Sequence, residues 1–135
     1  MSQMFTRRQG AQAKHQERQG RRVKESLTIC ERFPRLKSLT VNIRYHDPGA
    51  PDSSHPLKFA VNVQHAKSVL LFPCPNAECS LGGFDLSEEL AKAVRRHWTT
   101  VTGEMSCQGW SNRNTVGTIH CHCALHYSLQ LGYWR

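Results

Sequence analysis

Five of the six cysteines fall within fifty residues, at Cys74, Cys79, Cys107, Cys121 and Cys123. That clustering constrains the fold more than any other feature of the chain. Cys74-Pro75-Asn76-Ala77-Glu78-Cys79 places two thiols around a Pro-Asn turn, and Gly82-Gly83 lets the backbone bend away after it. A structural zinc ion takes four soft, near-tetrahedral ligands supplied by two short turns or strand ends. The second pair must then come from the segment that follows.

That segment reads as a hairpin. Val101 to Gln108 alternates, with Met105 and Cys107 on one face, and Ser111-Asn112-Arg113-Asn114 is turn chemistry. From Thr118 the alternation resumes, carrying Ile119, Cys121, Cys123, Leu125, Tyr127, Leu129, Leu131 and Tyr133 on a common face. A turn centred near Asn114 sets Cys107 opposite Cys121, close enough to chelate one ion. A turn shifted by one residue pairs Cys107 with Cys123 instead. Cys121 is preferred, because Leu125 and Tyr127 look like the start of the packed strand and leave Cys123 a buried thiol. The expected centre is one structural Zn2+ on Cys74, Cys79, Cys107 and Cys121, zinc ribbon-like, with Cys123 as the alternate ligand. Plain buried thiols or disulfides are the competing readings, and four thiolates also suit an iron–sulfur cluster. His120 and His122 point to the opposite face of a regular strand and would need a bulge to reach the metal.

A four-thiolate site keeps no open position for water, so a catalytic metal is not expected. The chain has no His-Glu-x-x-His, no deaminase-type His-x-Glu with Pro-Cys-x-x-Cys, no phosphate-binding glycine loop and no nucleophile elbow. An enzyme would have to use His120 or His122 with Asp47 or Glu104. Nothing in the sequence brings those groups together.

The remaining elements give an α+β class with a small, mostly antiparallel sheet. A helix is expected from about Gln16 to Phe33, with Val23, Leu27 and Cys30 on its buried face and Pro34 ending it. Leu39 to Tyr45 alternates strictly and reads as a strand. His46 to Pro56 is a loop, Leu57 to Val63 a second strand with Phe59, Val61 and Val63 inward, and Ser68 to Phe72 a third. A second helix lies between the cysteine turn and the C-terminal hairpin. It is opened by Asp85-Leu86-Ser87-Glu88 as a capping box and buries Leu86, Leu90 and Ala93 or Val94. Residues 1–15 are expected to be a disordered basic arm, and 16–135 a single zinc-stabilised domain.

Charge points toward partners. The formal net charge is +8, and residues 1–26 carry seven basic side chains against two acidic ones. Arg7, Arg8, Lys14, Arg18, Arg21, Arg22 and Lys24 form the candidate contact for nucleic acid or a ribonucleoprotein, with Trp110 and Tyr45 as stacking surfaces beside His120, His122 and His126. The alternative is a protein-interaction or assembly module. There the apolar end Leu129 to Trp134 would offer a strand edge to a partner or to a second copy. No apolar run approaches the ~18–20 residues of a membrane helix, so no membrane partner is expected. Met1 to Gly10 has no apolar h-region, which makes a reducing, cytoplasmic setting the expectation.

Overall fold

A computed structural model describes residues 3–50, 54–111 and 119–135; the side chains of residues 3–9, 111 and 119 are not among those described. The turn expected at 111–114 therefore lies almost wholly outside the described residues. The fold is α+β with a small antiparallel sheet, and three helices are present among the described residues. They are α1 (Gln3–Glu25), α2 (Ile29–Arg32) and α3 (Ser87–Arg95). The strands are β1 (Leu36–His46), β2 (Pro56–Val61), β3 (Leu71–Phe72), β4 (Phe84–Asp85), β5 (Thr100–Ser106), β6 (Trp110–Ser111), β7 (Ile119–His120) and β8 (Ala124–Tyr133).

The main sheet has the order β2-β1-β8-β5, every neighbouring pair antiparallel. Its inner face is built by the expected alternation. Leu39, Val41 and Ile43 of β1 stand beside Leu131, Leu129 and Tyr127 of β8, all buried. Leu86 and the α3 residues Leu90 and Ala93 join the same core, each without solvent exposure. Burial of branched and aliphatic side chains at such positions is what makes the sheet stable.

The N-terminal helix differs from expectation at both ends. It begins at Gln3, inside the segment read as a disordered arm, and stops at Glu25 rather than near Phe33. The arm reading weighed the scarcity of apolar residues, but its Gln, Arg, Ala and Lys are good helix formers. At the far end Ser26 turns back onto the Val23 carbonyl through both its N–H (3.1 Å) and its hydroxyl (2.7 Å). Thr28 then starts α2 with a capping box: its hydroxyl accepts from the Glu31 N–H (3.3 Å), and the Glu31 carboxylate accepts from the Thr28 N–H (3.0 Å). Leu27, expected on the buried face, is consequently exposed.

Two strands also differ. β2 ends at Val61, and its Leu57 and Phe59 remain exposed although they pair with the buried Ile43 and Val41. Those side chains lie on the core side, but β2 is the rim of the sheet and little covers them. The third expected strand shrinks to Leu71–Phe72, paired with β4. At α3, Asp85 accepts from the Ser87 N–H (2.8 Å), while the Ser87 hydroxyl accepts from the Leu70 N–H (2.8 Å). Ser87 thus ties the helix start to the preceding strand, in place of the expected Glu88 back-bond. β8 is bonded on one side by β1 and on the other by β5, so the C-terminal strand is internal and offers no edge. The sheet edges are β2 and β5. Among the described residues no helix is long and apolar enough to cross a membrane.

Candidate metal centre

The sulfur atoms of Cys74, Cys79, Cys107 and Cys121 all lie within 4.8 Å of one another, so the four can hold a metal ion. The Cys74–Cys121 and Cys79–Cys107 sulfur pairs are each 3.6 Å apart. Four thiolates bound ~2.3 Å from one tetrahedral ion stand about 3.8 Å apart, whereas a disulfide needs ~2.05 Å. Both spacings suit a shared ion and are longer than a disulfide bond.

The first pair is set by Asn76. Its carbonyl accepts the Cys79 N–H (3.0 Å) and its side-chain oxygen accepts the Glu78 N–H (3.0 Å), closing the turn that Pro75 preorganises. The Asn76 amide nitrogen also reaches toward the Cys121 sulfur, at 3.8 Å. The second pair comes from the hairpin, by a register other than the expected one. The Cys107 N–H donates to the Cys123 carbonyl (2.9 Å), and the Cys121 N–H donates to the Gly109 carbonyl (2.9 Å). Cys107 is thus opposite Cys123, and Cys121 is opposite Gly109. This is the one-residue shift of the turn that was weighed as the alternative. Cys107 and Cys121 meet diagonally, and Cys123 lies buried outside the four.

Two glycines make the approach possible. A Cβ on Gly109 would stand 2.5 Å from the Cys79 sulfur and 2.6 Å from both the Gly82 Cα and the Ser80 carbonyl oxygen. A Cβ on Gly82 would stand 2.3 Å from the Cys79 sulfur and 2.6 Å from that of Cys107. Only glycine lets the two backbones close on the sulfurs this tightly. The turn and the hairpin are also stitched directly, because Ser80 and Trp110 exchange N–H···O bonds of 2.7 and 2.9 Å. Sequence reading assigned Gly82-Gly83 a bend and did not reach Gly109. The signal for it was a glycine two places after a ligand cysteine.

The Cys107 thiol is held down to about 5 by the hydrogen bond from Cys74; burial opposes this, and the Gly83 and Gly109 N–H groups, both 3.4 Å from the sulfur, reinforce it. Its neighbours are pushed the other way. Cys74 rises far above its ordinary value because its S–H donates to Cys107, with burial adding to the effect. Burial next to the Cys107 charge takes Cys79 up to about 12. Burial likewise takes Cys123 up to about 12. A divalent cation bound by these sulfurs would oppose the rise at Cys74 and Cys79 and displace their protons.

Above this centre runs α1. Gln12 accepts the Leu81 N–H (2.7 Å), His15 Nε2 is 3.2 Å from the Gly82 carbonyl oxygen, and Arg22 pairs with Asp85 at 2.6 Å. Between helix and turn lies a cavity of about 870 Å³, lined among others by Gln16, Gln19, Cys74 and Cys79. The inward face of α1 therefore spends Arg22 on Asp85. Lys14, Arg18, Arg21 and Lys24 remain exposed, with Arg21 also bonded to Glu17 (3.1 Å). Arg7 and Arg8 lie within α1, and their side chains are outside the described ones. Of the candidate catalytic groups, Glu104 faces His126 at 3.8 Å, and His120 packs tilted against Trp110. Tyr45, considered for stacking, packs half-buried against Phe84 instead. No family model, curated protein or solved structure matches this chain.

Proposed function

We propose that the chain is a non-catalytic, zinc-stabilised module with a zinc ribbon-like centre, and that it binds nucleic acid or a ribonucleoprotein through the outer face of α1. The observation that carries the reading is the division of labour on that helix. Gln12, His15 and Arg22 hold it against the cysteine turn, and Lys14, Arg18, Arg21 and Lys24 are left exposed. A row of cations fixed on a docked helix suits contact with a phosphate backbone. Zinc is the ion favoured by four thiolates at tetrahedral spacing with no open position.

The test is titration of labelled RNA and DNA with the full chain at several salt concentrations. Binding whose logarithm falls steeply with log salt, by ~0.9 per phosphate contact on duplex DNA, is expected. Its slope should drop by about 3 in a Lys14→Glu, Arg18→Glu, Arg21→Glu variant, one unit per lost contact. Absence of binding at low salt refutes the reading. A second reading, assembly with a protein partner, is favoured by the β2 edge, where Leu57 and Phe59 are exposed. A concentration-dependent oligomer by light scattering, abolished by Phe59→Lys, is its expected signature.

A further inference from the structure

The hairpin that carries two of the cysteines has a second face. Along 107–110 and 120–123 exposure alternates strictly: Cys107, Gly109, Cys121 and Cys123 are buried, whereas Gln108, Trp110, His120 and His122 are exposed. The alternation that turns the sulfurs inward therefore turns an indole, two imidazoles and a carboxamide outward. Trp110 and His120 are cross-strand partners, with ring centroids 4.3 Å apart and planes at 34°.

We infer that this outer face is a stacking platform for the bases of a single-stranded nucleic acid, centred on Trp110 and His120. The inference rests on the reading of α1 given above and adds the class of nucleic acid and the place of its bases. Two observations and one general principle support it. Trp110 is 43% exposed, and among the described residues no cation lies over its ring as one does over each of the other two exposed tryptophans. Trp98 has the Arg96 guanidinium over its ring at 5.2 Å, and Trp134 has the Lys37 ammonium at 5.1 Å, while the ring contact of Trp110 is His120. The backbone of the platform is also tied to the segment that docks the helix. Ser80 is bonded to Trp110, and the next two residues, Leu81 and Gly82, are bonded to Gln12 and His15 of α1. A three-residue segment thus joins the aromatic pair to the helix bearing Lys14 and Arg18. Finally, aromatic rings beside a cationic track are how single strands are held, because an unpaired base offers its π-face, and a base inside a duplex does not. Gln108 and His122 beside the rings supply hydrogen-bonding groups for base edges.

The test uses the full-length, zinc-loaded protein with labelled oligo-dT, oligo-U and a duplex of the same length, followed by anisotropy. Trp110→Ala is expected to weaken both single strands roughly tenfold, the effect of removing one stacked base partner. It should leave the salt slope and the duplex affinity unchanged, and Trp110→Phe should restore most of the loss. In a Trp98→Phe, Trp134→Phe background, fluorescence from Trp110 should be quenched on binding. Zinc content of each variant checks that the hairpin is intact, and His120→Ala serves if Trp110→Ala loses metal. Wild-type affinity for single strands in both Trp110→Ala and His120→Ala overturns the platform, and the cation reading survives if the triple charge reversal still lowers the salt slope. Failure of the wild-type chain to bind any of the three nucleic acids overturns both. A preference between oligo-U and oligo-dT identifies the favoured strand and supports the platform when it is lost with Trp110.

Discussion

The two ends of the long hairpin are held together by different means. At the sheet end β5 and β8 pair along seven residues, β1 pairs β8 along most of its length, and Leu125 and Leu129 are wholly buried. At the cysteine end the paired strands β3 and β4 are two residues long, too short to be stable by themselves, and β6 pairs with β7 at two positions among the described residues. There the packing atoms are sulfurs, and glycines replace side chains at the closest approaches. Apolar burial needs length and layers; a shared ion needs only four atoms in place. A small chain can therefore extend its ordered structure past its core where it carries ligands to do so.

Removing the metal should separate the two ends most strongly. With a chelator, amides of 74–83 and 119–123 are expected to lose hydrogen-exchange protection completely, while those of β1 and β8 stay protected. Equal loss at both ends would show a single cooperative unit and break the contrast. Cys107→Ser should reproduce the effect of the chelator at neutral pH, since it removes the sulfur that accepts two backbone N–H groups.

The mirror perturbation is Leu129→Ala. Truncating a fully buried leucine costs about 2–5 kcal/mol, read by chemical denaturation, and should leave metal stoichiometry unchanged. Gly109→Ala is smaller and falls on the other end. Its Cβ meets backbone as well as sulfur, so the two chains must part, and metal affinity measured by chelator competition should fall about tenfold with little change in the sheet.

The smallest effect concerns the docking of α1. Arg22 and Asp85 form a half-exposed pair at 2.6 Å, worth about 1 kcal/mol or less after solvent screening. Burial raises the Asp85 carboxyl, but the bonds from Ser87 and Arg22 outweigh it and hold the group below its ordinary value. The folded-state value being depressed, the stabilisation is present above the unfolded carboxylate value of ~3.9 and is lost as pH falls through the folded value. A double-mutant cycle with Arg22→Ala and Asp85→Asn should thus give the same coupling at pH 7 and pH 5.

The contrast also explains what could be read in advance. The inner faces of β1 and β8 were legible because each alternates over many residues, and the four cysteines were legible because soft ligands in turns have few other uses. The hairpin register was not, since moving the turn by one residue displaces every partner by two and keeps each side chain on its own face. α1 was misplaced because what docks it is Gln12, His15 and Arg22, polar residues that leave no hydrophobic period. The exposure of Phe59 depends on β2 being an outer strand, and strand order is absent from local pattern.

That degeneracy gives the glycine opposite Cys121 a further consequence. A hairpin closed two residues out of step still buries Met105, Leu125 and Leu129 and satisfies its backbone, so hydrophobic collapse alone accepts either closure. In the misaligned form Gly109 faces residue 119 instead of Cys121, and the gap into which the Cys79 sulfur and Gly82 fit is no longer beside the sulfur of Cys121. A metal ion on the four sulfurs would then favour one strand alignment over the other, because the Cys79 sulfur and Gly82 fit beside Cys121 only in the closure that sets Gly109 opposite it.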